Sequence, residues 1–105
     1  MERRMGTVTT SLSQQAQSIF DDLGYDVSTD GGELRATRKW RVVQITPMPE
    51  PRDPPSSGEL RCFVTWEERV GDLERRLIGS DVDYEWAIIG VRDGNDYVVA
   101  RRSVT

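Results

Sequence analysis

The chain has 105 residues, of which 36% are apolar and 30% charged, enough for one hydrophobic core and not for two. It has no His and a single Cys, Cys62, which excludes a Ser-His relay, a Cys-His pair, an internal disulfide and any His-based or multi-Cys zinc site. No apolar run approaches the roughly 18 to 20 residues that cross a bilayer, and Met1-Glu2-Arg3-Arg4 leads into Thr and Ser instead of a signal core, so a soluble, cytoplasmic protein without a membrane partner is expected.

Residues 1–10 show no periodicity and read as a flexible tail. From Ser11 the pattern turns helical. Ser11 and Gln14 have capping-box spacing, while Leu12, Ala16, Ile19, Phe20 and Leu23 fall on one face, with Gly24 as the stop. The polar flank Gln14, Gln15, Gln17, Asp21 and Asp22 is left to water. Residues 25–28 and 33–38 form a hairpin around Thr29-Asp30-Gly31-Gly32, with Leu34 and Ala36 inward. A third strand over 41–46 reverses near Lys39-Trp40 and pairs with the second. Residues 47–58 hold all five prolines, whose missing donors and fixed φ forbid a ladder, so an exposed, extended loop is predicted there.

Residues 59–66 alternate, with Leu60, Cys62, Val64 and Trp66 on one side and Arg61, Phe63 and Thr65 on the other. Thr65-Trp66-Glu67-Glu68 opens a second helix over 67–78, which buries Val70, Leu73 and Leu77 and stops at Gly79. The nearly continuous apolar run 84–92 suits a strand covered on both faces at the sheet centre, and Asp93-Gly94 turns the chain into a last strand over 97–102. The expected fold is a single α+β domain over residues 11–105 in the order α-β-β-β-loop-β-α-β-β. Its mixed or mainly antiparallel sheet of five to six strands is covered on one face by two amphipathic helices.

Charge is unevenly distributed. Eighteen acids against fourteen bases give −4 overall, yet residues 34–49 contain Arg35, Arg38, Lys39 and Arg41 with no acid, a local charge of +4 that leaves −8 for the rest. On the hairpin, Arg35 and Arg41 are expected to project away from Leu34, Ala36 and Val43, with Trp40 at the reversal and Arg101 and Arg102 extending the patch. Guanidinium groups suit phosphate bidentately and an indole stacks on a base, so this ribbon reads as a site for RNA, DNA or another polyanion. The structural alternative is that the arginines blunt a strand edge or pair with Glu33 and Glu59 while Trp40 joins the core. A second functional reading is a protein-protein adaptor or homodimer, acting through an edge strand or through the polyproline-type spacing of Pro47, Met48, Pro49 and Pro51.

No catalytic residue, metal site or cofactor site is predicted. Glu67-Glu68 and Asp81 to Glu85 read as solvated acidic turns, Gly31-Gly32 as turn chemistry without a phosphate loop, and Cys62 as a packed thiol.

Thirteen of the fourteen bases are Arg and one, Lys39, is Lys. This acidic, Lys-poor composition resembles the small uncharacterised acidic proteins of halophilic archaea, a resemblance that implies no function. The helix-then-sheet order over residues 12–92, with Asp30 near a turn and Glu59-Leu60-Arg61 as acid-x-base, faintly resembles the restriction-endonuclease-like fold. That family's motif ends in Lys. Arg61 stands in its place and, with a pKa above about 12, cannot act as a general base, so the resemblance implies at most an inactive relative of a metal-dependent nuclease.

Overall fold

Strand alternation, two helical periods and a Pro-rich connection appear in a computed structural model that describes residues 7–92 and 96–101, with the side chains of 7–11 and 30 outside the description. The elements are α1 (Thr7–Asp22), β1 (Asp26–Asp30), β2 (Glu33–Arg38), β3 (Arg41–Pro47), β4 (Leu60–Trp66), a 3₁₀ turn (Glu67–Arg69), α2 (Val70–Ser80), β5 (Glu85–Val91) and β6 (Tyr97–Arg101). One sheet carries all six strands in sequence order. The pairs β1-β2, β2-β3 and β5-β6 are antiparallel, while β3-β4 and β4-β5 are parallel. The class is α+β with a mixed sheet. Among the described residues, no helix is long and apolar enough to cross a membrane.

The two helices cover opposite faces of this sheet, which corrects the expectation of a single covered face. Leu12, Ala16, Ile19 and Phe20 of α1 pack on Leu34, Ala36, Val43, Ile45, Cys62, Val64, Ile89 and Val91. On the other side Leu73 and Leu77 of α2 pack with Phe63, Trp86 and Ile88. The reason lies in β4, where Cys62 and Val64 point one way and Phe63 the other, so a strand apolar on both sides requires cover on both.

Several boundaries also move. Residues 7–10, expected in the tail, form the first turn of α1; residues 1–6 lie outside the description. The Ser11-Gln14 pair is thus internal to the helix. Gly24 ends α1 as predicted, at φ +91° with Tyr25 N donating to Phe20 O at 3.0 Å, but Leu23 falls beyond the packed face and is exposed. Gly79 lies inside α2, and Asp81 in the left-handed region (φ 51°) caps it. The run in β5 is buried on both faces, yet β5 is one strand from the edge; β3 and β4 form the middle pair.

The parallel β3-β4 pairing forces the Pro-rich segment to cross the sheet instead of hanging free. Pro47 completes β3, Met48 N donates to Val64 O at 2.7 Å, and the Met48 side chain is buried with Phe63 and Leu77. Pro55 O accepts from Tyr84 Oη at 2.7 Å, Ser57 O accepts from Arg61 Nε at 2.8 Å, and Asp53 lies 3.5 Å from Arg76 of α2. The expected exposed loop is therefore a crossover strapped to the α2 face, with its outer residues Glu50, Arg52, Asp53 and 56–59 in solvent.

Candidate nucleic-acid interface

The β2-β3 ribbon overhangs its neighbours. Pairing with β1 ends at Thr37, opposite Val42, and pairing with β4 begins at Gln44, so residues 38–41 extend past β1 and residues 38–43 past β4. Arg38 sits opposite Arg41, and Lys39-Trp40 forms the two-residue turn. Lys39 has φ 57° and Trp40 does not share it, the pattern of a type II′ turn, whose first central position favours Gly. At this overhanging tip Trp40 is 93% exposed. Its predicted place at the reversal holds, and the core alternative does not occur.

The predicted basic residues divide between the two faces. Arg35, opposite Gln44, lies on the α2 side. Arg38 and Arg41 extend the rows of Ala36 and Val43 on the α1 side, which corrects the expectation that Arg41 turns away from Val43; an alternation of period two puts 41 with 43. The Arg38 stem crosses Gly24, its Nε 3.2 Å from where a Cβ on that glycine would stand. Like charges directly opposite each other in a ladder are unfavourable, and among the described residues no carboxylate pairs with Arg38 or Arg41 to relieve this. Among the described residues, none of Arg35, Arg38, Lys39 and Arg41 makes an ion pair.

The expected neutralising acids are engaged elsewhere or stand apart. Glu33 Oε2 accepts from Thr46 Oγ1 at 2.8 Å and lies 3.3 Å from Arg61 Nη1. Glu59 is exposed at the foot of β4. Arg61 is 8% exposed and its guanidinium also lies 5.5 Å from the Tyr84 ring centroid. Burial lifts the Tyr84 phenol above its ordinary pKa, an effect the Arg61 charge opposes. Sequence reasoning missed this Glu33-Thr46-Arg61-Tyr84 network. Its signal was Arg61 sharing a face with Phe63 and Thr65 inside an otherwise apolar strand.

Arg101 does not adjoin the hairpin. It ends β6, three strands from Arg41, about 20 Å away by strand geometry. Both residues line a groove of ≈ 970 Å³ that runs from Val43, Cys62 and Ala87 on the α1 side to Tyr84 and Trp86. Arg102 lies outside the described residues, as does the Asp93-Gly94 turn. Burial pushes the Cys62 thiol up to about 12, so it is a protonated packing group at neutral pH. Of the loop residues proposed for a partner, Met48 is 1% exposed and Pro47 is held in β3, which removes Met48 from any such contact; Pro49 and Pro51 remain half-buried. Among the described residues, no group of three acids or thiols gathers where a metal ion would sit.

Among curated proteins and solved structures, none matches the chain. A family model matches residues 13–99, which spans α1 from its second turn through β6 to Val99 and so includes the whole hairpin. The chain belongs to the DUF7116 family, a family of unknown function.

Proposed function

We propose that the chain is a non-enzymatic binding module whose β2-β3 hairpin engages nucleic acid or another polyanion. The observation that carries this reading is Trp40, 93% exposed on an overhanging turn beside two arginines that face each other without an acidic partner among the described residues. An indole stacked on a base contributes roughly 1 to 3 kcal/mol, and Arg38 and Arg41 supply paired forks for phosphate oxygens, with Lys39 as a further point charge. A bound phosphate relieves the Arg38-Arg41 repulsion that the free ribbon carries. The remaining charge of −8 repels a polyanion from most of the surface, so contact is confined to the ribbon.

The test is quenching of Trp fluorescence in the full chain by a single-stranded RNA oligonucleotide at low salt, with heparin as a baseless polyanion. RNA is expected to quench Trp40, heparin to compete for the arginines, and Trp40→Ala to abolish the optical change while weakening RNA binding about tenfold, the equivalent of one stacking contact. The proposal fails if Arg38→Ala with Arg41→Ala binds RNA as the parent does.

A further inference from the structure

Among the described residues, a sheet with its strands in sequence order leaves β1 and β6 as its two edges, and on each of them every second residue turns its N–H and C=O outward. At the closed end of the β5-β6 hairpin, Arg92 N donates to Asp96 O at 2.9 Å, and the register continues with Gly90 opposite Val98 and Ile88 opposite Ala100. Alternation from that bond directs the main-chain groups of 96, 98 and 100 toward β5 and those of Tyr97, Val99 and Arg101 toward the open side. The side chains of these three residues lie on the α1 face of the sheet. That helix packs over β1, β3 and β4 and leaves Val99 52% exposed.

We infer that β6 is the pairing edge of a two-fold homodimer, antiparallel to the same strand of a second copy, with Val99 opposite the partner's Val99. In that register the outward groups form six ladder hydrogen bonds by the antiparallel rule of two for each bonded pair. Tyr97 stands opposite the partner's Arg101, and Arg101 opposite the partner's Tyr97. Each is an aromatic–guanidinium pair, and no like charges meet. The other edge fails the same construction, because β1 paired with itself about Ser28 sets Asp26 opposite the partner's Asp30. β6 also carries neither Pro nor Lys, the residues that commonly blunt an edge. The dimer is independent of the hairpin reading and responds oppositely to salt. Two copies of charge −4 repel, so screening strengthens their association, whereas it weakens the hold of arginines on a polyanion.

Sedimentation of the full chain tests this, over concentrations from about 10 μM to 1 mM at about 0.1 and 1 M salt, a range chosen because two five-residue strands bury less than a standard interface. The weight-average mass is expected to rise from 12.0 kDa toward twice that value, further at high salt. Val99→Lys places an ammonium opposite its own copy and should hold the mass at 12.0 kDa. Val99→Pro deletes an outward donor without removing a β5 bond and should do the same, so it decides the matter if the Lys variant misfolds. Arg38→Ala with Arg41→Ala, which weakens the hairpin's hold on a polyanion, should dimerise like the parent. A mass of 12.0 kDa at every concentration, or a folded Val99→Lys chain that dimerises as the parent does, overturns the inference.

Discussion

Removing Glu33 should loosen the Pro-rich crossover more than an exposed carboxylate would suggest. In Glu33→Ala the Arg61 guanidinium, with its side chain 9% exposed, loses its carboxylate and among the described residues keeps only Ser57 O and the Tyr84 ring, while the buried Thr46 hydroxyl loses its acceptor. Breaking a fully buried ion pair costs about 3 to 5 kcal/mol. Glu33 is 29% exposed and its deletion admits water, so the expected cost is about 2 kcal/mol, a fall in Tm of roughly 8 to 16 °C for a domain this size. Arg61→Met should cost less, about 1 kcal/mol, because the surviving carboxylate can turn to solvent. The double variant should lose about 1 kcal/mol less than the sum of the two single changes. Urea unfolding of the four proteins measures the cycle, and amide exchange over 48–59 should accelerate in both single variants. A loss below about 0.5 kcal/mol in Glu33→Ala, or strict additivity, would refute the argument that this pair straps the crossover to the sheet.

Three further outcomes follow from local geometry. A Cβ on Gly90 runs into Val70 Cγ2 and stands 3.2 Å from Glu67 Cα, so Gly90→Ala must push the 3₁₀ turn and α2 off β5 and should cost about 2 to 3 kcal/mol in urea unfolding. Lys39→Gly should gain about 1 kcal/mol, since φ 57° penalises any residue bearing a Cβ, and Lys39→Ala should gain nothing. The thiol of Cys62 has its pKa raised from 9.0 to about 12 by burial, so its contribution is complete below pH 9 and is lost as pH climbs toward 12, by up to about 4 kcal/mol. Denaturant midpoints across that pH window should fall less steeply in Cys62→Val than in the parent.

The strands were legible because alternation of period two is a strong signal wherever one face is buried. Leu34 and Ala36, Val43 and Ile45, and Cys62 and Val64 all point as the pattern implies. Less accessible was anything set by pairing between distant segments. That β3 and β4 run parallel decides that 47–58 crosses a face and that Met48 enters the core, yet no local feature of Pro47-Met48-Pro49 reports strand direction. The same holds for Arg61, whose partner Glu33 lies 28 residues away. For the hairpin, composition located the cations and the turn, and register then divided them, because Arg38 opposite Arg41 fixes their common face and leaves Arg35 on the other. Opposite placement of the helices follows from Phe63 pointing away from Cys62, a fact the sequence contained once β4 was read as apolar on both sides.

The salt dependence of RNA affinity tests the hairpin most directly. Between about 50 and 300 mM salt, log K for a single-stranded oligonucleotide should fall linearly with log salt at a slope of about −2 to −3, the release expected when three or four cations meet phosphates. Replacing Arg38 and Arg41 together by Ala should reduce the magnitude of that slope by about one to two. No binding at the lowest salt, or a slope unchanged by the double replacement, would contradict the claim that this ribbon is the site.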